Sequence, residues 1–494
     1  MNPKDIKRIS RRGFLEGSLS LAVGSAVSTF AGRAVAYGLQ TDNGSGRAPV
    51  APKMVWKGDE GYEFLRKANV WNLRKPNRFP AVIVEAKSEA EVVAAVNFAR
   101  EKGLQISPKG TGHHRNANFM RDGSMLLDLS GMTGIEVDAQ KRIAMVQPGV
   151  RGGQLLSAIT PHGLFFPTAH EPTVGISGYV MGGGLGWCWR RYGIGSASLE
   201  AVDVVTADGE LIHSNDEINP DYIWCARGAS SGMPGAVTKF YLRLQPLSAS
   251  MQRSKYIFPK ELWPDLTKWL MDIQPHISKD VEVYFFPHIK SKVAGKQIPT
   301  AGFWLTAMSD SSEQAKRSLS IFEECPFIDK ALEHEFAKEA DMKTLFNQFS
   351  TAAPAGRRYF TDSSYFNISG DQLVNELSDL IDNPPSDDAV FLLCSTLGIA
   401  PRPNSSLTGL PAKWMSFTSA SSPTPEEDNV ARDWTVNVGK AIEPYATGVP
   451  MMEQNFLHRP VKNILSPEKW AKYQSLLAKR DPDNLFTGFL VGQG

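Results

Sequence analysis

Two adjacent imidazoles follow a glycine turn in the stretch Pro108-Lys-Gly-Thr-Gly-His-His-Arg-Asn-Ala-Asn118. An apolar run precedes this stretch and Met125-Leu-Leu-Asp-Leu129 comes after it, the pattern of a loop between two strands. Gly110 and Gly112 let the backbone turn tightly and come close to a ligand. In such a turn several amide N–H groups converge on one phosphate, and Lys109 adds charge. His113 and His114 then offer nucleophilic ring nitrogens. The chemistry suggested is a cofactor gripped by its diphosphate, with a covalent bond within reach. A Gly-x-Gly alone is a weak signal, and a plain glycine turn bearing two solvated histidines accounts for the same residues.

More such segments follow in order. They are Pro172-Thr-Val-Gly-Ile-Ser-Gly178, Gly182-Gly-Gly-Leu-Gly186, Tyr192-Gly193, Ala226-Arg-Gly-Ala-Ser-Ser-Gly232 and Gly235-Ala-Val-Thr238. Gln454-Asn-Phe456 and Asp481-Pro-Asp-Asn-Leu-Phe486 stand near the end. With Lys109 to His113 and Asp128-Leu129, this set resembles the berberine bridge enzyme-like oxidases of the vanillyl-alcohol-oxidase superfamily. The resemblance implies an α+β fold: a two-part PCMH-type FAD-binding domain, and a substrate domain whose antiparallel sheet is covered by helices. It implies FAD, contacted by Lys109, Gly110, Thr111, Gly112, His113, His114, Leu129, Ser130, Pro172, Thr173, Gly175 and Gly178. Gly182, Gly183, Gly184, Gly186, Tyr192, Gly193, Gly235 and Val237 complete that set. The family's His bonds the 8α-methyl of FAD, a role that carries over to His113. Thr111 replaces the usual Gly. Bicovalent members carry a Cys just before Pro-Thr-Val-Gly; here Glu171 stands there, so one bond through His113, or none, is expected.

Flavin oxidation moves a hydride to N5 while a base takes a proton from the substrate O–H or N–H. Related oxidases often place a Tyr two residues before a C-terminal Asn; here Glu453 precedes Asn455. Desolvation in an aromatic pocket raises a carboxylate pKa toward a value useful for a base. Glu453 is therefore expected to be the base or to orient substrate, and Asn455 to bond flavin or substrate. A surface or salt-bridged carboxylate is the alternative for Glu453. His170, Glu171, Tyr284, Tyr359, Tyr365 and His458 are further candidates without an assigned direction.

The elements that position these residues are readable. Ser88-Glu-Ala-Glu91 is a capping box opening a helix that Gly103 can end. Strand Ala81 to Glu85, this helix, and strand Gln105 to Ser107 deliver the loop. Gly152 to Ile159 reads as a helix, and Leu199 to His213 as a hairpin turning at Asp208-Gly209. From about 247 strands and amphipathic helices alternate, suggesting an antiparallel sheet with helices on one side. Ser416 to Pro425 reads as a break. The expected layout is a twin-arginine signal peptide at 1–36, a surface leader at 37–73, the FAD-binding domain at 74–247 and the substrate domain at 248–452. Residues 453–494 are expected to return to the FAD domain.

With 494 residues and a net charge of +1, the chain has ample core and no strongly basic nucleic-acid surface. Four cysteines without CxxC spacing suggest neither zinc nor a disulfide framework, so no metal is expected. Ser10-Arg-Arg-Gly-Phe-Leu15, the apolar run from Leu19 to Phe30 and Ala34-Val-Ala36 resemble a twin-arginine export signal. The expectation is a bacterial periplasmic or secreted protein, handled by the twin-arginine translocase and without a stable membrane span. The leading reading is an oxidase acting on an alcohol, sugar or amine carbon of a small molecule, with O2 as acceptor. A dehydrogenase feeding a periplasmic cytochrome or quinone, and a non-catalytic flavin-binding protein, are the alternatives.

Overall fold

The computed structural model describes residues 51–350, 355–386, 388–451 and 465–489. Contacts divide the chain into Met1–Pro49 and Val50–Gly494; every described residue belongs to the second unit. The export segment, Glu453, Gln454, Asn455, Phe456 and His458 lie outside the described residues.

The chain begins with β1 (Lys53–Trp56), β2 (Val82–Glu85), β3 (Ile106–Lys109) and β4 (Met125–Asp128), ordered β1-β2-β4-β3. β2 and β3 run parallel to β4, which requires a crossover, and the helix Glu89–Lys102 provides it. Ser88 caps that helix by accepting from the Glu91 N–H, while the Glu91 carboxylate accepts from the Lys87 N–H. Gly103, at φ 65°, ends it in the left-handed conformation that favours glycine. Val92, Ala95, Val96 and Ala99 bury its inner face, and β3 leads into the loop.

Residues 53–70 correct the expectation of a surface leader. β1 pairs antiparallel with β2, the helix Tyr62–Ala68 follows, and Tyr62 and Val70 are buried. The Tyr62 hydroxyl donates to the Pro80 carbonyl at 2.6 Å.

The next strands are β5 (Ile135–Asp138), β6 (Ile143–Val146), β7 (Leu164–Phe165), β8 (Leu199–Val205), β9 (Leu211–Ser214), β10 (Ala236–Arg243) and β11 (Gln245–Pro246). Five of them form a sheet ordered β5-β6-β10-β8-β9, and β7 pairs with β11.

An eight-stranded antiparallel sheet follows. Its strands are β12 (Ser250–Pro259), β13 (Val281–Val293), β14 (Lys296–Ser309), β15 (Glu333–Glu339), β16 (Arg358–Phe366), β17 (Val390–Ser395), β18 (Trp414–Ser422) and β19 (Ala446–Gly448). The order is β15-β12-β14-β13-β17-β18-β16-β19. Alternation along the strands sorts side chains to two faces. Phe285, Phe303, Leu305, Phe391 and Leu393 share one core with residues of the helices Trp263–Ile273, Gly370–Asp382 and Asp428–Ile442. Tyr284, Phe286, Trp304, Val390, Leu392 and Met415 belong to another, packed with Leu185, Trp189 and Ile194 of the first half. The fold is thus α+β, with helices on one side of the large sheet and the cofactor half on the other.

β18 runs through the expected break at Ser416 to Pro425. Its serines read as a loop by propensity, but Ser416, Thr418, Ser419, Ser421 and Ser422 are buried, so burial overrides local preference. Near the C-terminus the helix Pro467–Arg480 lies on the first half: the Tyr473 hydroxyl donates to the Gly232 carbonyl at 2.8 Å, and Phe486 bridges to Ile106.

Candidate functional site

A cavity of about 370 Å³ opens between the loop 108–118 and the inner face of the large sheet. Of the residues expected at the cofactor, Lys109, Gly110, Thr111, Gly112, His113, His114, Leu129, Gly175, Gly178, Gly235 and Val237 line it. The loop is wedged so tightly that glycine is required. A Cβ on Gly110 would stand 2.3 Å from Ser177 Oγ and 2.9 Å from the Pro148 carbonyl oxygen. Gly112 has φ 73°, and a Cβ there would meet the Asn69 carbonyl at 2.1 Å. Lys109 is a partial correction: its ammonium is bonded beneath the loop to Asp128 at 2.8 Å and to Asn69, so its charge is already paired. Burial pushes its pKa down, and Asp128 opposes that shift.

His113 is held by a stacked ring and a hydroxyl. The indole of Trp71 stacks on it at 4.5 Å and 20°, and the Trp71 N–H donates to the Gly112 carbonyl at 3.0 Å. His113 Nε2 lies 3.1 Å from Thr173 Oγ1, whose hydroxyl donates to Glu171 Oε1 at 2.8 Å. Because the Thr173 proton is committed to Glu171, its oxygen accepts from Nε2–H. This fixes the tautomer with a lone pair on Nδ1. Burial, then the Arg115 charge, lowers the His113 pKa to about 3. His114 is lowered to about 4 by burial and then by Arg78; its ring nitrogens lie 3.2 Å from the Asn116 N–H and 3.3 Å from Asn118 Nδ2. Both rings are therefore neutral at pH 7, and each has packing or hydrogen-bond partners in the protein.

The second glycine segment is placed differently. Gly182, Gly183, Gly184, Gly186, Tyr192 and Gly193 do not line the cavity. A Cβ on Gly186 would stand 2.2 Å from both the Thr168 carbonyl oxygen and the Tyr179 hydroxyl, and one on Gly184 3.0 Å from the Tyr179 ring. These two glycines make room for Tyr179, whose hydroxyl contacts the Pro167 and Gly184 carbonyls. Tyr192 packs on Phe165 and bonds Ser248. Ser130, Pro172 and Thr173 also lie off the cavity wall: Ser130 N–H donates to Asp128, and Thr173 acts through His113.

The wall also includes residues that the sequence left without direction. His170 lines the cavity, and its Nε2 lies 2.5 Å from Glu282 Oε1. The Glu282 side chain is 1% exposed, and its other oxygen accepts from the Cys188 N–H at 2.7 Å. The Tyr284 hydroxyl lies 3.1 Å from His170 Nε2 and 3.3 Å from Nδ1. Burial, reinforced by Glu282, raises the Tyr284 pKa well above its ordinary value. Trp187 and Phe349 enclose the imidazole at 4.3 and 4.7 Å between ring centres. Tyr359 and Tyr365 do not line the cavity, although Tyr359 stacks on Trp71 at 6.0 Å. Asn72, fully buried, joins the halves: its amide donates to the Arg115 and Tyr359 carbonyls at 2.7 and 2.9 Å and accepts from the Tyr359 N–H.

Chemically, the cavity fits a dinucleotide. The loop's glycines bring backbone to its wall, and a neutral imidazole faces it. Ser231, also on the wall, has a buried hydroxyl without a hydrogen-bond partner among the described residues, placed to donate to a phosphate or ribityl oxygen. No group of His, Cys, Asp and Glu among the described residues has the arrangement of a metal site.

A family model described as an FAD binding domain matches residues 80–215. The FAD-linked oxidoreductase nodO of Hypoxylon pulicicidum is 28% identical over 435 residues, covering 87% of this chain and 95% of its own. The (R)-6-hydroxynicotine oxidase of Paenarthrobacter nicotinovorans is 32% identical over 199 residues, covering 40% of this chain and 43% of its own. Among solved structures, the BBE-like 1 protein of Physcomitrella patens superposes with a TM-score of 0.74 at 21% identity, over 90% of this chain and 96% of that one. That likeness shows a shared fold.

Proposed function

We propose that this FAD-linked oxidoreductase oxidises an alcohol, sugar or amine carbon of a small molecule and passes the electrons to O2. The observation that carries this reading is the pairing, around one cavity, of a neutral imidazole on the cofactor loop with a carboxylate-backed imidazole, His170 with Glu282. FAD bound there supplies the two-electron acceptor for the substrate hydride. The Gly110 to Gly112 backbone and Ser231 hold it. His113 is the proposed attachment point, as the motif implies, with Thr173 and Glu171 engaging its Nε2 and the ring held against the loop by Trp71.

The proton from the substrate O–H or N–H goes to His170. Glu282 accepts from Nε2–H, leaving Nδ1 as the base and stabilising the imidazolium that forms. The enclosing rings of Trp187 and Phe349 exclude water from that transfer. Glu453 and Asn455, from the motif, remain the rival pair. His170→Gln is expected to lower kcat/KM by about 10²–10³-fold, whereas Glu453→Gln leaves it within a few-fold of the wild type; the opposite pattern assigns the base to Glu453. His113→Ala is expected to release flavin on acid denaturation, where the wild type retains it. Peroxide formed in step with turnover supports O2 as acceptor. Dye reduction without peroxide supports the dehydrogenase reading. Export by the twin-arginine route, from residues 1–36, is part of the proposal and is tested by fractionating cells that express the Arg11→Lys, Arg12→Lys chain.

A further inference from the structure

Arg115 follows the two histidines and reaches across to the large sheet. Its guanidinium lies 4.7 Å from the ring centre of Tyr359, 5.2 Å from Phe417 and 5.8 Å from Trp71. It lines the cavity, together with Phe417 and Ser419. Arginine carries five N–H donors and stays charged throughout the ordinary pH range. Here its hydrogen bond among the described residues is a long one, 3.4 Å from Nη1 to Ser419 Oγ. None of the described carboxylates pairs with it. Two acids whose charges reach this region are engaged elsewhere: Asp388 with Arg357, and Asp428 with Arg358.

A second group on the same wall is also unmatched. Ser363 on β16 lines the cavity, is 3% exposed, and its hydroxyl has no hydrogen-bond partner among the described residues. β16 and β18 are paired so that Ser363 faces Phe417 across the ladder, with Thr361 facing Ser419. Side chains two residues apart on a strand share a face, so Ser363, Phe417 and Ser419 project to the same side as Met415. The adjoining wall is apolar: Phe286, Val390, Leu392 and Met415. A partly buried cation without a counter-ion among the described residues, and a buried hydroxyl without a partner among them, are costly unless something else satisfies them. An anion on an apolar body satisfies both, and the flat guanidinium suits a carboxylate, with two parallel N–H···O bonds.

We propose that Arg115, with Ser419 and Ser363, binds a carboxylate carried by the substrate, so that the enzyme acts on organic acids with an aromatic or aliphatic body. The inference rests on the oxidoreductase reading above and narrows its substrate class. The test is calorimetric titration of the flavin-loaded full-length protein with benzoate, phenylacetate and hexanoate, each beside its methyl ester. At least one acid is expected to bind about 30-fold more tightly than its ester, the size of a charge-assisted hydrogen-bonded pair. Arg115→Gln is expected to erase that preference, and Arg115→Lys to keep part of it, because lysine retains charge without the fork. Flavin content is expected to stay at the wild-type level in both variants, and Ser363→Ala to weaken acid binding several-fold. Equal binding of acids and esters, no binding of any of the three acids, or an unchanged preference in Arg115→Gln overturns the proposal. Loss of flavin from Arg115→Gln also overturns it and assigns the guanidinium to the cofactor. Anaerobic bleaching by a neutral alcohol or amine, with no acid preference, leaves the oxidoreductase reading standing. Acid-selective binding with no donor able to bleach the flavin overturns that reading instead.

Discussion

The loop at 108–118 and the segment at 182–193 are both glycine-rich, and the chain uses glycine in opposite ways in the two. At Gly110 and Gly112 the missing side chain brings backbone to the cavity wall. At Gly184 and Gly186, which are off the wall, it makes a socket for the ring of Tyr179, a side chain that itself lines the cavity. The first use serves binding and the second serves packing, although composition alone makes the two segments look equivalent.

The largest effect that would separate them is Gly186→Ala. The new methyl would meet a carbonyl oxygen and a tyrosine hydroxyl at 2.2 Å, so a loss of about 3 kcal/mol or more is expected in denaturant unfolding. Flavin per folded molecule is expected to remain at the wild-type level; loss of flavin before loss of stability would break the contrast. Gly110→Ala is the converse. Ser177 Oγ can rotate away at the loss of its bond to the Pro148 carbonyl, but that carbonyl, 2.9 Å from the new methyl, must shift, so a somewhat smaller stability cost of about 2 kcal/mol is expected. Flavin retention, read by absorbance after gel filtration, is expected to fall sharply, and Ser177→Ala to recover part of it.

The smallest effect is a pH dependence confined to the first loop. His113 and His114 have folded pKa values of about 3 and about 4, both below the ordinary 6.5. Between those values and 6.5 the unfolded chain binds protons that the folded one does not, so stability falls as the pH falls through that window and is flat above it. Melting temperature followed from pH 7.5 to 4.5 should decline, and His114→Gln should make the decline shallower. An unchanged slope in that variant would mean that His114 is not buried neutral.

Much of this was legible in residue order. Ser88 and Gly103 marked both ends of a helix, Asp208-Gly209 marked a hairpin, and the loop residues from Lys109 to His113 lie together on one cavity wall. What escaped depended on distant partners. Trp71 stacks on His113 from a stretch whose mixed composition read as surface. His170, in a loop, gains its meaning from Glu282, 112 positions away on β13, and no local pattern announces that pairing. The serines of β18 read as a break because their burial is decided by the strands on either side. Glycine count showed where side chains are missing, without showing whether a ligand or a neighbouring tyrosine fills the space.

Asn72 carries a consequence for engineering. One carboxamide is hydrogen-bonded to the backbone on both sides of the seam, at Arg115 and at Tyr359. A chimera that grafts a relative's sheet onto this cofactor half, in search of new selectivity, inherits that junction. Such a graft keeps its registry only if residue 72 and the strand that meets it are transplanted together.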